Sequence, residues 1–243
     1  MNSVSIIMPA YKEEEFIEQV LTELINEFKE KKFELEVIVV IDVVPGDKTL
    51  EIVESLSKKY NEIKIVTKPG KNGVGNAVRT GIKNISKEVT LITTAEVSET
   101  PKDLCRIASK VFEGYDFVVG NRFFSGAKRP GYALKKYFAN RLCNKSIRLL
   151  FGIPSNDITN GIKAYKSEIL KNMNLTSYGF ELFAEIPIKA FLNGYQNIGE
   201  VYIEHFARDE KFSKFELTKE GPRFFKIVMK CFFLRQKFSR LPQ

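Results

Sequence analysis

An α/β fold built on a mostly parallel sheet is predicted by three features of the sequence. Short apolar runs alternate with segments whose apolar residues recur every three or four positions. The short runs, such as Leu35–Ile41, are apolar and β-branched throughout, the pattern of strands covered on both faces. Repetition of strand, helix and strand implies parallel neighbours with crossover helices on both faces of the sheet.

The elements follow in order. Val4–Pro9 reads as the first strand, and Phe16, Ile17, Val20, Leu21, Leu24, Ile25 and Phe28 give the next segment a helical spacing. Leu35–Ile41 is the second strand, 47–60 a helix, Ile63–Thr67 a strand and 75–85 a helix. The runs 89–93 and Asp116–Gly120 are strands with a helix over 101–112 between them. After Arg122 the rhythm changes: a Gly/Pro loop leads to a basic helix over 133–152. A second loop, 153–161, precedes a short strand, a helix over 180–194 and a late strand over 197–206. With no internal repeat or linker, one domain over 1–215 is expected, followed by a basic amphipathic tail over 216–243.

The 243 residues, 44% hydrophobic and 28% charged, are ordinary for a soluble globular chain. No apolar run has the length of a membrane span, and the first residues lack the basic start and cleavage site of a signal peptide. Cys105, Cys143 and Cys231 have no metal-ligand spacing and read as small core or surface residues in a reducing compartment. The lone histidine, His205, reads as a packing residue. A net charge of +8 points to an anionic partner. No helix-turn-helix, zinc or base-stacking signature accompanies it, so nucleic acid is not expected.

In open parallel sheets ligands bind at the carboxyl ends of strands. Here those ends offer Pro9–Glu13, Asp42–Asp47, the glycine-rich 68–81, Thr94–Ser98 and Gly120–Arg122. The glycine-rich segment matches neither the dinucleotide fingerprint, since Val78 stands where its third glycine belongs, nor a Walker loop.

Taken in order, the motifs resemble family-two glycosyltransferases of the GT-A fold, in particular the dolichyl- and polyprenyl-phosphate mannosyl- and glucosyltransferases. SIIMPAYKEEEFI resembles the family's Pro-x-Tyr-Asn-Glu strand end, and VIVVIDVVPGDKT its Asp-Asp-x-Ser-x-Asp-Gly-Thr segment. GVGNAVRTGI, VVGNRF and DITNGIKAYKSEIL resemble its glycine-rich helix start, its Gly-Ser-Arg and its Asp-x-Thr-Ser-Gly-Phe-Arg. The stretch from GFELFAEI to FSK resembles its closing segment, so the likeness covers about residues 3–215.

The resemblance implies a nucleotide-sugar donor, GDP-mannose or a UDP-hexose, bound by Pro9, Tyr11, Glu13, Asp42, Gly73, Thr94, Ala95 and Glu96. Glu13 and Asp42 would meet the base and ribose; a turn cap is the plainer reading of Asp42. Arg122, Arg208 and Lys214 would face the donor diphosphate and the acceptor phosphate, where a guanidinium fork suits phosphate oxygens. Asp157 completes the expected catalytic set by positioning the acceptor or a loop, with a local turn cap as its plainer reading. Arg79 is expected to serve helix packing or a local carboxylate. A lipid-phosphate acceptor is already anionic and needs no general base.

Several positions depart from the family pattern. Its metal-binding Asp-Ala-Asp is Thr94-Ala95-Glu96, its second Asp-Asp aspartate is Val43, and Lys12 and Lys163 replace an asparagine and an arginine. Three readings follow. Glu96, with Ser98 and Thr94, holds Mg²⁺ or Mn²⁺ against the donor phosphates; cations such as Lys12, Lys163 and Arg208 supply the charge instead; or the chain binds nucleotide-sugar or lipid phosphate without transfer. In the tail, Arg223, Lys226, Lys230 and Lys237 share one helical face and Phe224, Phe225, Val228 and Phe232 another. That pattern fits a helix lying on an anionic membrane surface, at the cytoplasmic face, or a helix packed on the domain.

Overall fold

The computed structural model describes residues 2–67, 73–95, 100–123, 134–203 and 215–238. Among the described residues seven strands are joined by eight helices: β1 (Ser3–Ala10), α1 (Ile17–Glu30), β2 (Glu34–Ile41), α2 (Thr49–Lys59), β3 (Ile63–Thr67), α3 (Val74–Ile82), β4 (Val89–Ile92) and α4 (Pro101–Phe112). The second half adds β5 (Phe117–Asn121), α5 (Leu134–Phe151), β6 (Lys163–Lys166), α6 (Ser167–Lys171), α7 (Leu182–Leu192), β7 (Ile198–Tyr202) and α8 (Leu217–Phe238). The short α6 is the one helix that periodicity does not predict; five residues are too few to carry a period.

The sheet runs β3-β2-β1-β4-β6-β5-β7, all parallel except β6, which is antiparallel to both neighbours. The chain proceeds outward from β1 to β2 and β3, then returns to its other side with β4. The strand order therefore reverses between β1 and β4, where a crevice forms at the carboxyl edge.

Alternate residues of β1 divide the core. Val4, Ile6 and Met8 pack with α1, α2 and α4, while Ile7 packs on the opposite face with α3, α5, α7 and α8. The central strands are thus covered on both sides, as their unbroken apolar runs require.

The tail helix belongs to this second layer. Ile227, Val228 and Cys231 of α8 are buried, with Phe224 and Phe232 partly so, and Phe232 meets Phe151 edge-on. The packed alternative describes this helix: Phe224, Val228 and Phe232 face protein, while Phe225 and Phe233 stay exposed. All three cysteines are free thiols, and burial pushes Cys105 up to about 12 and Cys143 and Cys231 to about 11. None is poised as a nucleophile.

At the opposite, amino edge of the sheet one buried carboxylate ties four segments together. Glu36 accepts hydrogen bonds from Ser5 Oγ, Lys64 Nζ, the Ser86 backbone N–H (2.6 Å) and Ser86 Oγ (2.8 Å). Burial opposes its ionisation, but these donors outweigh it and hold the carboxyl down to about 2. A carboxyl depressed by folding stabilises above its unfolded titration and loses that contribution as pH falls toward its folded value. Stability should therefore drop between about pH 4.5 and pH 2. Glu36→Gln should cost about 3 kcal/mol at pH 7 and flatten that acid limb. Urea unfolding at pH 7 and pH 3 measures both.

Candidate functional site

Strand register brings most of the expected residues to one edge. Ala10 pairs with Ile41 and Ile7 with Ile92, so Pro9–Tyr11, Asp42 and Thr93–Ala95 leave three adjacent strands side by side. Asp42 is held against β1 by its N–H, which donates to the Ala10 carbonyl at 3.0 Å, and it is half-buried. Tyr11 is exposed and Pro9 half-buried, whereas Glu13 is only 3% exposed. Glu13's N–H donates to Thr49 Oγ1 at 2.9 Å and its carbonyl accepts the first N–H groups of α1. Thr94 is half-buried and Ala95 buried at the end of β4.

The glycine-rich turn is fixed by a close approach. Gly73 has φ +134°, and a Cβ on Gly75 would lie 2.6 Å from the Gly179 carbonyl oxygen and 2.7 Å from the Tyr178 carbonyl carbon. Only backbones without side chains come this near, so α3 starts against the 178–179 turn, with the Asn76 N–H donating to the Tyr178 carbonyl at 3.1 Å. Arg79 stacks over the Tyr178 ring at 5.0 Å, a packing role as expected.

Across the crevice, Arg122 and Asp157 form one unit. Arg122 Nε donates to Asp157 Oδ2 (2.8 Å), Nη2 to Oδ1 (2.9 Å), and the Arg122 N–H also to Oδ2 (3.0 Å). Asp157 is 0% exposed and both its oxygens are engaged. It can therefore orient the guanidinium but offers no free oxygen as a base. The loop carrying it is itself locked. Asn160 Nδ2 donates to the Gly120 carbonyl (2.6 Å), Ser155 Oγ to Glu200 Oε1 (2.6 Å) and Asn121 Nδ2 to Glu200 Oε2 (2.9 Å).

Lys163 lies behind this pair rather than in the crevice. It is 1% exposed, and its ammonium donates to the carbonyls of Asn160 and Phe183. Burial lowers it to about 7, Asp157 pulling it up and Arg122 pushing it further down. It is not placed to replace a metal at the donor phosphates. Sequence reasoning missed Glu185 and Glu200 altogether, although an acid inside an apolar helix and one in an apolar strand were the available signals. Glu185 accepts the backbone N–H groups of Thr176 (2.9 Å) and Ser177 (2.8 Å) and pairs with Lys189. Burial opposes its charge, yet Lys189 and these donors leave it lowered.

Glu96, Ser98, His205, Arg208 and Lys214 lie outside the described residues. Among the described residues no group of three or more His, Cys, Asp and Glu side chains could hold a metal ion.

The glycosyl transferase family 2 model matches residues 5–173, which include every strand end of the crevice except that of β7. The chain belongs to glycosyl transferase family 2. It is 27% identical over 192 residues to a dolichol-phosphate mannosyltransferase of Pyrococcus furiosus, covering 76% of this chain and 52% of that protein. It is also 27% identical over 216 residues to an undecaprenyl-phosphate 4-deoxy-4-formamido-L-arabinose transferase of Shewanella sediminis, covering 87% and 61%. The chain thus spans between half and two-thirds of the length of these family 2 relatives. Among solved structures, it is similar to glucosyl-3-phosphoglycerate synthase of Mycobacterium tuberculosis in complex with Mn²⁺, UDP-glucose and phosphoglyceric acid. The TM-score is 0.73 at 18% identity, covering 95% of this chain and 80% of that one. The same enzyme with Mg²⁺ and UDP matches with a TM-score of 0.68 at 17% identity, covering 96% and 79%. At that identity the likeness establishes the GT-A fold.

Removing one partner of the Arg122–Asp157 pair leaves a buried charge alone. Asp157→Asn should cost about 3 kcal/mol of stability, read as a lower urea midpoint at an unchanged slope.

Proposed function

We propose that this family 2 domain transfers a hexose from a nucleoside-diphosphate sugar to a polyprenyl phosphate at an anionic membrane surface. The observation that carries the reading is a guanidinium locked by a buried carboxylate at the carboxyl edge of the sheet, across from the strand ends that form the nucleotide crevice. Arg122 is preset for phosphate oxygens, and its partner Asp157 has no oxygen left for proton abstraction. That set suits an acceptor that arrives already ionised. The acceptor phosphate oxygen attacks the anomeric carbon, the bond from that carbon to the diphosphate oxygen breaks, and the nucleoside diphosphate leaves with the electron pair. Arg122, Arg208 and Lys214 stabilise charge on the two phosphate groups. Tyr11 and Asp42 frame the nucleoside, with Gly73 at the turn beside it. Glu96, with Ser98, would hold Mg²⁺ or Mn²⁺, which neutralises the departing diphosphate.

The reading is supported by the named activities of the two relatives and tested directly. Membranes or detergent micelles containing polyprenyl phosphate are incubated with labelled GDP-mannose, UDP-glucose and related donors, with and without Mn²⁺. Transfer to the lipid phosphate by the full chain is expected. Arg208→Ala should abolish it, and Arg122→Lys, which keeps the charge but not the fork, should lower it at least tenfold. Nucleotide binding by calorimetry with no transfer under any donor and metal would instead favour a binding protein.

For the membrane, α5 is the better-supported surface. Leu134, Phe138, Leu142 and Leu149 are between 66% and 77% exposed and fall on one face of the helix. Exposed Lys135, Lys145 and Arg148 sit among them. Apolar side chains ringed by cations fit an anionic lipid interface. No helix among the described residues is long and apolar enough to cross a membrane, so the attachment proposed is peripheral. The free thiols fit the reducing, cytoplasmic side. Phe138→Glu with Leu142→Glu should largely abolish flotation with phosphatidylglycerol vesicles while leaving the melting temperature nearly unchanged. Flotation equal to the parent protein would remove α5 from the membrane.

A further inference from the structure

Among the described residues three buried carboxylate oxygens have no donor, on Glu62, Glu181 and Glu220, and the last two share one place. Glu181, at the start of α7, accepts the N–H groups of Tyr178 and Gly179 on Oε1, both at 3.1 Å. Its Oε2 is buried and unpartnered. Glu220, in the first turn of α8, takes Arg223 Nη1 on Oε1 at 2.9 Å, and its Oε2 is likewise buried with no partner. The two residues are 7% and 8% exposed. Leaving buried anionic oxygens unmet is costly, and one arginine does not balance two acids.

Both oxygens converge on one space. A Cβ on Gly179 would lie 2.6 Å from Glu181 Oε2, 3.1 Å from Glu220 Oε2 and 3.1 Å from Arg223 Nη1. The two oxygens are therefore no more than about 6 Å apart, around a gap that exists because residue 179 has no side chain. Gly179 has no positive φ to demand glycine. What the position supplies is room.

We propose that this gap binds a hard divalent cation of the Mg²⁺ or Ca²⁺ class, held by Glu181 Oε2 and Glu220 Oε2 with water in its remaining positions. Such ions accept one or two protein carboxylates and keep several waters. The ion joins the start of α7 to the start of α8. This is a different position from Glu96 and Ser98 and does not depend on glycosyl transfer.

The test uses the full chain carrying Glu96→Gln, without nucleotide, titrated with MgCl₂ or CaCl₂ against NaCl of equal ionic strength. Melting temperature and calorimetric heat are both read. A saturable rise at millimolar cation is expected. Glu220→Gln and Gly179→Ala should each remove it. Glu220→Gln keeps an oxygen to accept from Arg223 and removes one of two facing charges, so its metal-free melting temperature should stay near the parent's, which keeps a lost response from being mistaken for misfolding. Arg223→Gln should tighten the response several-fold, because it removes the competing cation. Absence of a saturable response, its survival in Glu220→Gln, or an Arg223→Gln protein with unchanged cation affinity would each overturn the site.

Discussion

The arrangement at the carboxyl edge depends on one buried ion pair. An arginine can meet a phosphate in many poses, and most cost side-chain entropy to hold. Asp157 removes that freedom by taking Nε and one terminal nitrogen of Arg122 and the backbone N–H besides. The aspartate can do this only because its own loop is tied down from Gly120, Asn121 and Glu200. Thr159 is also braced against α5 through Asn144. The pair is thus the centre of a network that couples β5, β7, the 153–162 loop and α5.

Most of the scaffold was legible because its physics is local. Continuous apolar runs mark strands covered on both faces, and a three-to-four-residue period marks the helices between them. The positions of Pro9, Tyr11, Asp42 and Thr94 at one edge follow from a parallel sheet whatever its details. Roles that depend on long-range partners were less legible. Nothing near Asp157 in sequence says that both its oxygens serve Arg122, 35 residues away. Nothing near Glu13 says that it is almost wholly buried. Lys163, offered as a cation that could supply a metal's charge, is instead enclosed by two carbonyls. Periodicity likewise described α8 as amphipathic but could not say whether its apolar face met lipid or protein.

The two basic helices of the second half divide these tasks. In α8 the apolar face closes the second core layer over α7 and α5. In α5 the buried side is narrow, formed by Asn144, Ile147 and Phe151 with Leu150 partly covered, and Leu134, Phe138, Leu142 and Leu149 are left outside. Similar composition therefore carries opposite uses, and packing decides between them. The exposed stripe and the Arg122 network meet on the same helix, since Thr159 and Asn156 bind α5 through Asn144, Arg141 and Arg148.

The enclosed ammonium of Lys163 has a consequence of its own. With its proton gained or lost near pH 7, the trio of Arg122, Asp157 and Lys163 carries a net charge of +1 on the acid side of neutrality and none on the alkaline side. The two carbonyls that hold the amine can accept from it in either state, so the fold is unaltered while the field behind the guanidinium changes. Burial that lowers Lys163 to about 7 thus puts a change of charge directly behind the Arg122–Asp157 pair.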